Sequence, residues 1–398
     1  MKRGLFYSIF IVVLAITSSV FYHSFSAYQE ILDAAVAMPE PAEETGAPAP
    51  PRLETITLIA AGDCLMHNTQ IWAGQQSDGS YSFDSFFAPV QHLIKSGDYA
   101  SVTFEAALAG PQSGYTGYPL FNSPDAMAAA LKNAGFDLVN TANNHILDRG
   151  FQGALRTMDI LRQAGLETVG TYSSAEAKEQ FLVKTIRDVK VGYLAYSYST
   201  NGIPVPSGHD YFYNYLDQDK ILADIQNLRP QVDVLLLILH WGAEYSTRPA
   251  SQQQETARLF LEAGADAILG SHPHVIQTME VIKVDDRDKF VIYSLGNFIG
   301  DQNGVERNSG VLLKMKFTKD FQNNRAALEE INFIPTYVNK YYTGGKRAFQ
   351  VIPVEESILS WERGEPLPNL SKDTIPVLRQ VLNAARQQLG PDYYRSDS

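Results

Sequence analysis

Cysteine is nearly absent: Cys64 stands alone, so no intramolecular disulfide can form. A chain of 398 residues with 45% hydrophobic side chains does without one, because a core of that size supplies the stability that small secreted domains take from bridges. Basic clusters are missing too. Thirty-two Lys and Arg face 44 Asp and Glu, a net charge of −12, and the only basic pair of note is Lys2-Arg3. That excludes a general nucleic-acid binder, which needs a basic face or stripe. It also means that any anionic ligand must be met by local positive groups or by metal. No repeat of fixed period appears, and only one apolar run is long.

That run extends from Gly4 to Tyr22, about 19 residues, close to the span of a bilayer. With Lys2 and Arg3 on its short flank it predicts a single-pass cell-membrane anchor with an extracytoplasmic remainder. The rival reading is a cleavable signal peptide, with Ser24 and Ser26 as small residues that permit cleavage. Residues 37–51 are rich in Pro, Ala and Glu and read as a semi-extended spacer. The expected organisation is an anchor or signal segment over 1–27, a Pro/Ala-rich linker over 28–54, a main domain over 55–355 and a helical tail over 356–398.

The main domain reads as α/β. Buried strands are expected at 56–61, 100–104, 136–141, 191–196, 232–239, 265–269 and 290–294, from short apolar runs. Helices are expected between them at 86–95, 124–134, 153–164, 219–228 and 252–263. Three of these close on Ala-Gly pairs (134–135, 164–165, 263–264), glycine being the residue that accepts the left-handed cap. Strands at 312–317 and 327–333 follow, and one amphipathic helix near 374–389 is expected to pack outside the domain.

Polar clusters sit where expected strands end: Gly62-Asp63, Glu105, Asn143-Asn144-His145, His240, and Ser271-His272-Pro273-His274. Ligands of α/β sheets bind at carboxyl ends of strands, so five such ends converge on one place. Singly, each residue has a bland alternative: Asp63 as a turn residue, Glu105 as a solvated end, His145 as a packed core imidazole. Together, imidazoles, carboxylates and amide oxygens make a mixed ligand set for one or two divalent ions, Mn, Zn or Fe rather than Ca or Mg.

The stretches AAGDCLMH (60–67), NTANNHILDRG (140–150), LHWGAEY (239–245), GSHPHVIQ (270–277) and YSLGNF (293–298) resemble the CapA family of capsule and poly-γ-glutamate biosynthesis proteins. That resemblance implies a calcineurin-like metallophosphatase fold, a two-layer β sandwich flanked by helices. It implies Asp63 and His274 on a first metal, Glu105 as the bridging carboxylate, and Asn144, His240 and His272 on a second. His145 resembles the histidine that stands over the substrate as a catalytic proton donor, oriented by Asp148. The chain departs from the pattern at position 65, where Leu replaces the expected His, so the first metal is left short of a ligand. The nearest histidine is His67, and Cys64 lies in the same loop as a small hydrophobe or soft ligand. Trp241 is expected to pack, Glu244 to support the site from outside, and Asn297 carries no evident role. The aromatic segment 211–215 is expected to be a packed loop.

Two functions follow from the resemblance and the anchor. One is participation in capsule polymer synthesis or export, with the anionic polymer or its precursor and other membrane subunits of a synthase or exporter as partners, and no nucleic acid. The other is a metal-dependent hydrolase acting on phosphoesters or on the polymer's amide bonds. The resemblance does not decide whether the chain is an enzyme.

Overall fold

Alternation of apolar and polar residues does little to shape the first element. In the computed structural model, which describes residues 3–36 and 52–390, Arg3–Val36 is one helix. It runs past the expected boundary at residue 27 because nothing between Leu5 and Val36 is Pro or Gly, the residues that stop a helix. Its stretch Ile9–Val36, 28 residues, is long and apolar enough to cross a membrane by length and composition. Lys2, the spacer at 37–51 and the tail beyond 390 lie outside the described residues.

The remainder, from residue 51, is a separate compact unit built on two sheets. The chain first lays down β1 (Leu53–Cys64), β2 (Tyr99–Phe104), β3 (Leu138–Asn140) and β4 (Glu167–Val169), all parallel neighbours in that order. It then builds a second sheet from β5 (Leu182–Ile186), β6 (Val189–Ser197), β7 (Val234–His240), β8 (Ala267–Ser271), β9 (Met279–Val284) and β10 (Arg287–Ile292). There β6, β7, β8 and β10 run parallel, and β5 and β9 close the edges antiparallel. Finally β11 (Asn297–Ile299), β12 (Ser309–Asp320), β13 (Arg325–Thr343) and β14 (Lys346–Pro353) return to the first sheet on the other side of β1.

The architecture is the expected two-layer β sandwich flanked by helices. One apolar cluster, including Leu58, Leu138, Leu236, Leu269 and Phe333, fills the space between the sheets. A second packs the helices around Phe87 and Leu131 on the outer face of the first sheet, and a third packs Ile225 and Phe260 on the second. The parallel strands are buried on both faces, which is why β7 reads as one uninterrupted apolar run ending at His240.

Several expectations are corrected in detail. The helix expected at 86–95 is broken into Asp84–Phe87, a 3₁₀ turn Ala88–Val90, and Gln91–Ile94. Pro89 lacks the N–H an α-helix would use there and its ring crowds the preceding turn. The tail holds two helices, Val354–Glu362 and Thr374–Leu389, and the second reaches the core: Ala385 and Leu389 belong to the cluster between the sheets.

Two glycines show how closely the strand ends are drawn together. A Cβ on Gly62 would stand 1.9 Å from the Gly296 carbonyl oxygen, and one on Gly270 would stand 1.9 Å from that of Tyr293. Only glycine permits these approaches. They set Asp63 beside Asn297 and carry β8 straight into the His272-Pro273-His274 turn.

Candidate metal centre

The carboxyl ends of β1, β2 and β3 meet those of β7 and β8 at one rim of the sandwich, and the predicted residues come together there. Asp63, the end of β1, is re-aimed by an irregularity in its pairing with β2 between Ala61 and Asp63. It accepts the backbone N–H of His272 at 3.0 Å, and lies 3.5 Å from His274 Nδ1. Glu105 follows β2, 3.5 Å from His240 Nε2 and 3.7 Å from His274 Nε2. Asn144 Oδ1 is 2.8 Å from His240 Nε2, while Ser271 Oγ stands 2.9 Å from the other ring nitrogen, Nδ1. His272 and His274 both adopt positive φ, 95° and 58°, a conformation that non-glycine residues keep only where the surroundings hold it.

A divalent ion fits this centre. Asp63 Oδ1, both oxygens of Glu105 and His272 Nδ1 are buried without a hydrogen-bond partner. Buried carboxylate oxygens without donors are costly, and a cation among them removes the cost. The electrostatics agree. Burial works against ionisation of Glu105, yet the imidazoles of His274 and His240 hold its carboxyl well below the usual range. Burial likewise opposes a charged His274, but Glu105 and Asp63 raise it to about 9, a pull toward positive charge that a bound cation would answer by displacing the proton. Burial and the neighbouring His240 keep His272 neutral, the state in which imidazole binds metal. Three overlapping groups have ligand atoms all within 4.8 Å of one another: Glu105 with His240 and His272, Asp63 with Glu105 and His274, and Glu244 with His272 and His274.

His145 stands beside these groups and in none of them. Its Nδ1–H donates to Asp148 Oδ2 at 2.8 Å, and Asn201 Nδ2 lies 3.5 Å from the other ring nitrogen, Nε2. The same Oδ2 accepts the backbone N–H of Phe121 at 2.7 Å, and the Phe121 ring meets the imidazole edge-on at 4.7 Å. Burial alone would lower the His145 pKa; the bond to Asp148 and the charges of Glu105 and Asp148 outweigh it and raise it. A positioned imidazole of this kind can hold or deliver a proton.

Leu65, at the divergent position, joins the apolar cluster on the outer face of the first sheet. His67 does not replace the missing ligand: its Nδ1 accepts the Asp301 N–H at 3.1 Å and it belongs to none of the three groups. Cys64 is fully buried, and burial with the adjacent Asp63 and Glu105 pushes its thiol up, so it remains a protonated hydrophobe. Trp241 packs, stacked on Tyr293. Phe212 and Tyr213 are buried in a loop cluster, and Tyr213 Oη donates to the Asn143 carbonyl at 3.1 Å, bracing the Asn-Asn-His turn.

Other residues of the centre carry no role in the sequence reading. Asn297 accepts from His274 Nδ1 at 3.0 Å. Asn201 accepts from Asn144 Nδ2 at 3.1 Å and stands 3.4 Å from the His145 ring. Tyr198 lies over His272, ring centroids 4.5 Å apart, and Tyr245 lies 6.0 Å from His274. The Arg307 guanidinium stacks on Tyr245 at 3.6 Å. The signal for Tyr198 was available, since it directly follows the apolar run of β6, and Asn201 lies three residues further on.

Residues 57–302, more than half of the chain, match the family model described as bacterial capsule synthesis protein PGA_cap. The capsule biosynthesis protein CapA of Bacillus anthracis is 27% identical over 271 residues, 66% of this chain and 64% of that protein. The PGA biosynthesis protein CapA of Bacillus subtilis is 28% identical over 242 residues, 60% of this chain and 62% of that protein. The chain thus aligns with less than two thirds of either relative's length. Among solved structures, the NAD nucleotidase of Haemophilus influenzae aligns with 84% of this chain and 61% of its own, at a TM-score of 0.45 and 11% identity.

Proposed function

Because this chain belongs to the bacterial capsule synthesis family PGA_cap, we propose that it takes part in making or exporting an anionic capsule polymer, poly-γ-glutamate, at the outer face of the cell membrane. The observation that carries the reading is the buried pair Asp63 and Glu105, whose partnerless oxygens face three histidines inside the region that the family model matches. Asp63, Glu105 and His274 would hold one ion, and Glu105, Asn144, His240 and His272 a second, with Mn, Zn or Fe suited to that mixed set. Such ions supply Lewis-acid polarisation of a phosphoryl or carbonyl oxygen. The helix Arg3–Val36 would anchor the protein, with the polymer or its precursor and membrane subunits of a synthase or exporter as partners.

Arg307 supports an anionic substrate in an otherwise acidic protein. It forms no ion pair among the described residues, and its stack on Tyr245 keeps its charge at the edge of the centre.

A second reading, a metal-dependent hydrolase of phosphoesters or of polymer amide bonds, is favoured by one feature. A centre that only holds metal has no need of a histidine outside its ligand set, yet His145 is oriented by Asp148 2.8 Å away. Surface polymer measured in a deletion strain, complemented with wild type or with His240→Ala, tests the proposal. Loss on deletion, restored by wild type and not by the variant, supports it. Normal polymer in the deletion strain refutes the capsule role and leaves the hydrolase.

A further inference from the structure

The metal reading accounts for two of the three ligand groups. The third is built on Glu244, in the exposed loop after β7, whose carboxylate lies within 4.8 Å of donor atoms on both His272 and His274. The three groups share corners: Glu105 belongs to the first two, His272 to the first and third, His274 to the second and third. Glu244 therefore closes a ring of donors on its solvent side.

The loop is held in place for this. Tyr245 N–H donates to the Pro273 carbonyl at 2.8 Å, which ties the Glu244 segment to the turn carrying both histidines. Tyr245 adopts φ +63°, an unusual conformation for a bulky residue, and its ring lies 6.0 Å from that of His274 and 3.6 Å from the Arg307 guanidinium. Glu244 makes no ion pair among the described residues despite this nearby arginine. A second observation points the same way: His272 is 2% exposed and its Nδ1 has no hydrogen-bond partner.

Resting on the metal reading above, we infer that Glu244 is itself a metal ligand, taking up on the open side of the centre the coordination that Leu65 cannot offer. A carboxylate where an imidazole is expected has two consequences. It adds a negative charge to the ligand set and it shifts preference toward harder ions, Mn²⁺ above the softer alternatives. It also makes the open side adjustable, because the residue is exposed whereas Asp63 and Glu105 are fully buried.

The test is Mn²⁺ binding by the full-length protein in detergent, followed by electron paramagnetic resonance of free Mn²⁺ and by metal content after dialysis. Glu244→Gln should weaken at least one Mn²⁺ by about tenfold or more, the scale on which metal sites respond to altered shells. Glu255→Gln, an exposed carboxylate on helix Ser251–Ala263, should bind as wild type does and controls for general charge. If Glu244→Gln matches wild type in number and affinity while His240→Ala loses metal, the inference fails and the metal centre stands. If wild type takes up neither Mn²⁺ nor Zn²⁺ nor Fe²⁺, the metal reading fails and this inference with it.

Discussion

His240 and Asn144 are carried by strands of different sheets, yet His240 Nε2 and Asn144 Oδ1 are 2.8 Å apart, a pairing of residues 96 positions distant in the chain. His240 ends β7 and Asn144 follows β3, so the centre is assembled across the sandwich and neither sheet alone contains it.

For that reason His240→Ala or His272→Ala should remove most of the bound metal from the full-length protein, measured as metal content per chain. His67→Ala should leave it nearly unchanged, since His67 is engaged with the Asp301 backbone. Equal metal in wild type and His240→Ala would end the proposal. Stability should fall by about 1–3 kcal/mol in His240→Ala, because Asn144 and Ser271 lose their buried partner.

His145→Ala should keep the metal. If the centre is catalytic, its turnover should drop by about 10²–10⁴-fold, the contribution of a general acid–base. Asp148→Asn should cost less, because an amide oxygen can still accept from Nδ1 and from Phe121 N–H. A hydrolytic assay beside surface-polymer measurement decides: unchanged polymer in cells carrying His145→Ala would mark the protein as a scaffold.

Arg307→Ala should weaken binding of poly-γ-glutamate by the purified protein, with a shallower dependence on salt than wild type. Arg307→Lys should not restore it fully, since an ammonium lacks the planar face that stacks on Tyr245. Retention equal to wild type in both variants would exclude Arg307 from substrate binding.

Asp301 offers a pH test away from the metal residues. Burial alone would raise its pKa, but hydrogen bonds from Lys340 and Thr69 and the charges of Lys340 and Arg347 lower it. Lys340 Nζ is 2.8 Å away and Arg347 3.0 Å. A lowered folded-state pKa contributes stability above the ordinary carboxylate value of about 3.9, and that contribution is lost as pH falls through the folded value. Asp301→Asn should therefore be less stable than wild type by about 1–3 kcal/mol at pH 7. Denaturant melts should show the gap closing below about pH 4, and a gap constant down to that pH would contradict this account.

Protease added to spheroplasts should degrade the chain from outside, while the protein stays with membranes after a salt wash. Recovery of full-length protein in the cytosol would sink the proposed topology.

The sequence alone determined the elements that local physics controls. Uninterrupted apolar runs announced the buried parallel strands, glycines after alanines announced helix ends, and polar residues at strand ends announced Asp63, Glu105, Asn144, His145, His240, His272 and His274 as one rim. Those signals are local, because a strand buried on both faces must be apolar throughout and can change character only where it stops. The breaks at Pro89 and the length of the first helix were legible by the same kind of rule and were misjudged.

Tertiary structure alone decided which of these residues meet. Glu244 lies in an exposed loop and Arg307 in a short 3₁₀ turn, half-buried, with no periodicity to mark either, and they matter because the Tyr245 and Pro273 backbones are joined and Arg307 stacks on Tyr245. Asn297 gained its role from the close approach at Gly62 that sets β1 beside β11. Ligand geometry depends on atoms brought within a few ångströms from strands dozens of residues apart. Such proximity belongs to the packing of two sheets, and no window of sequence contains it.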